Sequence, residues 1–463
     1  MDLIHIQSIK ALGEMGAKVH SPVVLKLLEN SGANVDYQAM VAKMPEALIN
    51  EALESAPKTF ALCARDPHLD LNLPAHAYPY ATTSGLALFV TDYQTGEYRK
   101  STRQDIADFA RLGDALSPDF LWTAMTAGDV PELAHGPYEL WETMKYTQKH
   151  VQGVTVQSAR DANVQIELAA LVAGSRKALK DRPLLSVIAC PLAPLSFEQG
   201  AIEAQIEFAK AGIPICSMSM SLGGLSAPVT VAGMIMNANA ENLASLVITQ
   251  AAAPGSPHIY TSESAPMNML SGNINYGAPE KSLISFGLGQ MARRYGLPSL
   301  VADTGFGDDI KGGLEDIQFI VNQFIGLTSY TDIITGMGCV DDAKGVSFEQ
   351  LVIDAYMWDF FRDFMKEIEI SKDTIGLESI KSVGHGGDFL SSDHTLKYLR
   401  SELTQWDQAK LELLAMESSE MVKEANRIVK QILSAHQVPA LDEAILREGE
   451  AILTSYKKEL AKP

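Results

Sequence analysis

Between residues 182 and 298, short clusters bearing glycine and proline cut the chain into apolar runs at regular intervals. They read Arg182-Pro183, Cys190-Pro191, Ala211-Gly212-Ile213-Pro214, Gly223-Gly224, Pro254-Gly255-Ser256-Pro257, Tyr276-Gly277-Ala278-Pro279 and Tyr295-Gly296-Leu297-Pro298. Glycine and proline punctuate regular structure, and the stretches between the clusters are long enough for helices. The segment therefore reads strand, loop, helix, repeated. Sustained over hundreds of residues, this rhythm predicts an α/β chain folded as a TIM (β/α)8 barrel, with its chemistry on the loops that follow the strands.

Apolar residues at three and four spacing (Val24, Leu27, Leu28, then Met40, Val41, Met44, Leu48) predict helices over residues 1 to 56. Phe60-Ala61-Leu62-Cys63-Ala64-Arg65 and Leu86-Ala87-Leu88-Phe89-Val90 read as strands, with a turn at Tyr93-Gln94-Thr95-Gly96. Barrel strands are predicted at 120–126, 151–158, 184–190, 213–219, 257–263, 299–303 and 330–336, and an eighth, short and polar, at 379–384. The expected division is an N-terminal helical segment with a small β insertion (1–115), the barrel (116–392) and a C-terminal helical extension (393–463).

Composition narrows the class. With 46% hydrophobic and 20% charged residues, the chain suits a soluble protein with a large core, and its net charge of −20 argues against nucleic acid or an anionic membrane as partner. Cys63, Cys190, Cys216 and Cys339 are far apart and show no metal-ligand spacing, which fits buried thiols in a reducing compartment rather than disulfides or a zinc site. No basic start with an apolar run opens the chain, and no stretch of about 18 uninterrupted apolar residues occurs. A cytoplasmic location is expected.

The predicted strand ends carry Trp122, Thr123 and Met125; Gln157; Ser217 to Gly224; Tyr260-Thr261-Ser262-Glu263; Asp303 to Asp309; and Thr335-Gly336-Met337-Gly338. This lining of methionine, hydroxyl, carboxylate and aromatic groups suits a small cation that cannot donate a hydrogen bond, held by carboxylates and ring faces. Tyr80, Trp122, Tyr260, Phe306 and Tyr330 are candidate walls, with Gln157 and Met337 beside them. Asp303 and Glu263 are the candidate catalytic carboxylates, with Asp308 next. Lys311 lies about eight residues past its strand in a polar loop, where a solvated or ion-paired role outweighs that of an iminium lysine. The glycine pairs match no phosphate loop and serve close approach better.

The order and wording of these clusters also resembles the trimethylamine:corrinoid methyltransferase family, in the branch that lacks pyrrolysine and demethylates quaternary amines. The likeness runs from Thr95-Gly96-Glu97-Tyr98-Arg99 and Ser101-Thr102-Arg103-Gln104-Asp105 through Thr147-Gln148-Lys149-His150 and Ser347-Phe348-Glu349-Gln350-Leu351 to Gly387-Asp388-Phe389-Leu390 and His394-Thr395-Leu396. The resemblance implies transfer of a methyl group from an amine nitrogen to the Co(I) of a corrinoid (cobalamin) presented by a partner corrinoid protein, with no cofactor held tightly by this chain and no metal of its own. Gly223, Gly307 and His385 are then the expected contacts of the corrinoid. The chain has only standard residues, so the implied substrate is a quaternary amine. Glycine betaine comes first, followed by proline betaine, carnitine and γ-butyrobetaine. Arg99 or His385 is a candidate partner for its carboxylate. A homo-oligomer is expected. A lyase using Lys311 and a non-catalytic quaternary-amine binding protein are the rivals.

Overall fold

Eight short parallel strands form the centre of the computed structural model: β1 (Tyr80–Thr83), β2 (Leu121–Trp122), β3 (Val151–Gly153), β4 (Leu185–Ala189), β5 (Ile215–Ser219), β6 (His258–Ser262), β7 (Ser299–Asp303) and β8 (Ile333–Met337). From β2 to β8 each strand pairs with the next in chain order, and β8 pairs with β1. A parallel bridge between Thr82 and Phe120, with Asp119 N–H donating to the Ala81 carbonyl at 2.7 Å, joins β1 to β2 and closes the barrel. The structure describes residues 1–303, 324, 328–341, 343–365, 367–404 and 406–461, and of Asp303 only the backbone.

Seven strands lie where the punctuation placed them; the eighth does not. Residues 379–384 fall on the helix Leu377–Val383, whose Leu377, Ile380 and Val383 recur at three spacing as a helix requires. The missing strand is β1, drawn from the segment assigned to the N-terminal extension, so the barrel starts ahead of residue 116. Its residues Tyr80-Ala81-Thr82-Thr83 are short and weakly apolar, and hence easily missed.

Helices α1 (Arg103–Ala115), α2 (His135–Lys145), α3 (Ala159–Ala173), α4 (Gln199–Lys210), α5 (Val231–Ala252), α6 (Pro279–Tyr295) and α7 (Phe348–Asp363) pack outside the strands. α5 is apolar on most sides because it is buried on most sides: it sits between the barrel and the N-terminal helices Asp2–Glu14 and Glu46–Ser55. Its Asn242 grips β6 through both amide atoms, donating to the Thr261 carbonyl at 2.9 Å and accepting from Thr261 N–H at 3.0 Å. The C-terminal helices Ser418–Ala435 and Glu443–Leu460 cover α7, α1 and α3. Between them and α7, the helices Lys372–Ile375, Leu377–Val383 and Asp393–Glu402 bury none of their residues.

The two ends of the barrel differ. A hairpin, Phe60–Leu62 with Leu71–Leu73, plugs the amino end: Leu62, Leu71 and Leu73 join Phe120, Cys216, Ile259, Leu300 and Ile333 in one buried cluster. Among the described residues, no hairpin of this kind covers the carboxyl end. Among the described residues, no helix is long and apolar enough to cross a membrane.

Candidate active site

Side chains alternate in and out along a strand, and the buried clusters show which set faces the axis. Inward come Phe120 and Trp122 on β2, Ile188 on β4, Cys216 and Met218 on β5, Ile259 on β6, Leu300 on β7 and Ile333 on β8, with Val154 and Met220 just beyond β3 and β5. The middle of the barrel is polar, and its groups are hydrogen-bonded to one another apart from Gln152 Nε2, which has no partner among the described residues. Gln152 Oε1 accepts from Ser186 Oγ at 3.0 Å and Cys216 Sγ at 3.3 Å, and His150 lies 2.8 Å from both Ser186 Oγ and the Cys63 carbonyl. Complete burial pushes the His150 pKa down to about 4, so the ring is a neutral bridge.

Above this layer the interior turns to one large ring and several sulfurs. Trp122 is 6% exposed, and its indole N–H has no partner among the described residues. Val154, Ile188, Met218 and Met220 share its cluster. Cys190 continues the inward alternation of β4. It has exposed surface, yet the surrounding protein pushes its thiol up to about 12, the Glu263 carboxylate adding to the effect.

Glu263 follows β6 and continues the inward set of Ile259 and Thr261; its N–H donates to the Ser219 carbonyl at 3.0 Å. Lys281, in the first turn of α6, donates to Glu263 Oε2 at 2.9 Å, and the two side chains are only 6% and 13% exposed. An opposed pair of charges thus stands withdrawn from solvent at the barrel mouth.

Two carboxylates that the sequence did not single out hold the mouth loops. Glu241 on α5 accepts from Ser219 Oγ at 2.5 Å, Leu195 N–H at 2.9 Å and Asn237 at 3.0 Å, and Asn237 also donates to Ser221 at 2.7 Å. Glu139 on α2 accepts from Thr155 Oγ1 at 2.6 Å and Ala127 N–H at 3.3 Å, joining the loops after β3 and β2. Asp161 on α3 accepts from Gln165 at 2.9 Å. Burial lifts the pKa of both Glu139 and Asp161 to about 7.

Of the residues expected to form the site, Trp122 on β2 and Glu263 just past β6 both stand at inward positions of the barrel. Gln157 lies nearby in the loop after β3, tied to the Glu132 carbonyl at 3.2 Å. The others fall elsewhere, for identifiable reasons. Tyr80 opens β1 and donates to the Asn72 carbonyl of the plugging hairpin at 3.2 Å, so it stands at the amino end. Tyr260 has outward parity: its hydroxyl donates to Asn239 on α5 at 2.9 Å, and its ring packs on Tyr295. Tyr330 precedes β8, half exposed beneath Arg293, again at the amino end. A register shift in β8 turns Met337 into the core under α1 and α7.

Gly223 is buried, with the Met234 thioether filling the space a Cβ would take; the exposed neighbour is Gly224. His385 is exposed in the turn after Leu377–Val383, on helices that bury nothing. Arg99 is not free for a ligand: it pairs with Asp92 at 2.8 Å and Asp105 at 2.7 Å. Phe306, Gly307, Asp308 and Lys311 lie outside the described residues, as does the side chain of Asp303. A cavity of about 510 Å³ between Tyr78, Tyr356, Phe360 and Trp406 is separate from the mouth, beside the end of α7.

The rim of the mouth is apolar and exposed. Leu86 follows β1, Leu192 follows β4, Leu225 and Val229 follow β5, and Met269 and Leu270 follow β6; each is 49% exposed or more. Around Gly224 these residues adjoin: a Cβ there would meet Met269 Sδ at 3.0 Å and Val229 Cγ2 at 3.9 Å. Contiguous exposed apolar residues are uncommon on a lone soluble chain.

Residues 1–461 match the model of a family described as trimethylamine methyltransferase (MTTB). The chain belongs to this family. Trimethylamine methyltransferase MttB of Desulfitobacterium hafniense (strain DSM 10664 / DCB-2) is 30% identical over 86% of the chain and 80% of the relative. MttB of Methanosarcina thermophila is 29% identical over 97% and 94%. A glycine betaine methyltransferase of D. hafniense (strain Y51) is 28% identical over 99% and 96%. In fold, the chain is similar to the crystal structure of the Methanosarcina barkeri monomethylamine methyltransferase (MtmB), with a TM-score of 0.50 and 12% identity over 94% of this chain and 93% of that one. Barrel and family agree with the expectation drawn from the punctuated sequence.

Proposed function

We propose that this member of the MTTB family transfers a methyl group from a quaternary amine, glycine betaine foremost, to the Co(I) corrinoid of a partner protein. The observation that supports the reading is the set of inward side chains toward the carboxyl end of the barrel, Trp122, Met218 and Met220, with exposed apolar side chains on the loops that follow the strands. An indole face attracts a trimethylammonium by about 0.5 to 2 kcal/mol, and thioethers tolerate its methyl groups. The apolar rim suits a bulky corrinoid-bearing partner seated over the opening.

The chemistry asks little of acid or base. A quaternary nitrogen already bears its positive charge, so a neutral tertiary amine departs with the C–N electron pair and no proton. The protein's task is to align methyl carbon and nitrogen with the incoming metal at near-attack distance. Trp122 fixes the cation laterally, and the sulfur-lined wall excludes water. We propose Asp303, whose backbone ends β7 in register with Thr335, as the carboxylate that attracts the cation, since Glu263 already has Lys281.

One fact favours a quaternary over a tertiary amine: the chain has only standard residues, whereas the founding trimethylamine enzymes of the family contain pyrrolysine. A glycine betaine methyltransferase is similar along nearly the whole chain, as the trimethylamine methyltransferases also are. Proline betaine, carnitine and γ-butyrobetaine are the related alternatives.

Purified protein incubated with cob(I)alamin and a panel of methylamines tests the reading. Loss of the cob(I)alamin spectrum is expected with glycine betaine and not with trimethylamine. Activity with trimethylamine alone, or amine binding without any methyl transfer, overturns it.

A further inference from the structure

We propose that residues 367–404 form an arm that packs against a second copy of this chain. The stretch holds three short helices, Lys372–Ile375, Leu377–Val383 and Asp393–Glu402, of 4, 7 and 10 residues. Helices this short are marginal in water and persist where an apolar face is packed. Yet none of the 38 residues from 367 to 404 is buried, and none joins a buried cluster of the chain. What ties the stretch together within one chain is polar and local. Lys397 pairs with Asp373, and His394 Nε2 lies 3.1 Å from the Asp373 carbonyl.

The apolar side chains are nevertheless arranged for packing. Leu396, Leu399 and Leu403 recur at helical spacing, as Leu377 and Ile380 do on the shorter helix, and all five are exposed. Exposed apolar residues collected in this way mark an interaction surface. The surface continues at the root of the arm. There Phe364 and Trp406 flank Phe360, with ring centroids 5.2 and 5.0 Å from it, beside the cavity of about 510 Å³.

A second copy is the occupant that fits. A standard interface takes roughly 20 to 30 residues a side, a number the arm by itself exceeds. Two-fold pairing also needs a surface complementary to itself, and an apolar stripe meets its own copy without any matching of charges. The corrinoid-bearing partner fits less well, because the arm leaves and rejoins the body at the amino end of the barrel. Arg362, at the end of α7, lies 5.2 Å from the centre of the Tyr78 ring, two residues ahead of β1, and Trp406 stands against Phe360 at the same place.

Sedimentation velocity of the purified full chain tests the arm. Wild type at about 20 µM, enough to fill a micromolar dimer, is expected to sediment as a dimer or an assembly built from dimers. Leu396→Asp/Leu399→Asp is expected to sediment as a monomer with the circular dichroism of wild type, since no buried cluster is touched. Should that pair fail to fold, Leu396→Ala/Leu399→Ala keeps strong helix formers at both exposed positions. It is expected to raise the dimer Kd at least about tenfold. A wild-type monomer, or a folded variant whose Kd stays within about threefold of wild type, overturns the proposal. A monomer whose arm variants transfer methyl poorly to the corrinoid-bearing protein assigns the arm to that protein, and likewise overturns it.

Discussion

The indole of Trp122 occupies the space beside Gly85 so closely that a Cβ on Gly85 would stand 2.5 Å from Trp122 Cε3 and 2.8 Å from Val154 Cγ2. The loop after β1 thus sets the pose of the Trp122 ring, and glycine is required there because any side chain would displace the indole or Val154. Gly85→Ala is expected to lower kcat/KM for glycine betaine at least tenfold, with a stability loss of about 1 to 3 kcal/mol from overpacking. Steady-state kinetics beside urea unfolding separates the two effects. Wild-type turnover in this variant would detach the ring from catalysis.

In the proposed function, Trp122 supplies the ring face for the cation. Trp122→Leu keeps apolar bulk and loses the ring face, so quaternary-amine affinity is expected to weaken about 2- to 30-fold. Isothermal titration with tetramethylammonium, which lacks a carboxylate, isolates this contact. An unchanged Kd would place the cation elsewhere.

The apolar rim makes a separable claim. Leu270, fully exposed after β6, and Leu225, 70% exposed after β5, belong to the surface assigned to the corrinoid-bearing partner. Leu225→Asp is expected to slow methyl transfer to the partner protein about tenfold or more, as truncations at interface anchors do, while transfer to free cob(I)alamin changes little. Equal losses with both acceptors would argue for a distorted recess instead of a docking defect.

Glu139 and Asp161 tie stability to pH. Burial holds their carboxyls protonated up to about 7 in the folded protein, whereas an unfolded chain ionises them near 4. Between those values the folded state binds more protons. Their contribution is fully present below about pH 4 and is lost as pH rises through 7. The unfolding free energy of wild type should therefore drop from pH 5 to pH 8, and Glu139→Gln should shrink that drop by roughly 2 kcal/mol. Urea melts at the two pH values check it; an identical drop in both proteins would remove Glu139 from the account.

The fold was legible because glycine and proline mark the strand ends and the barrel repeats them. The exception is instructive. β1 is four residues long, and its pairing is decided by closure against β8 and β2, a long-range contact with no local signature. At the site, parity was the missing information. Tyr260 sits on the same strand as Ile259 and Thr261 but one residue out of phase, so its ring belongs to α5 and α6 instead of the mouth. Tyr80 and Tyr330 have the right chemistry at the wrong end of their strands. Glu263 was found from its position at a strand end, but its neutralisation by Lys281, 18 residues later, depends on how α6 docks. Glu241 and Glu139 lie mid-helix among small and apolar residues, where a buried carboxylate has no sequence signal beyond its oddity.

The most direct measurement is a crystal soaked with glycine betaine. The account expects the trimethylammonium within about 6 Å of the Trp122 ring at the carboxyl end of the barrel. A betaine bound in the cavity beside Tyr78 and Trp406, or a mouth filled by side chains with no room for the ligand, would contradict it.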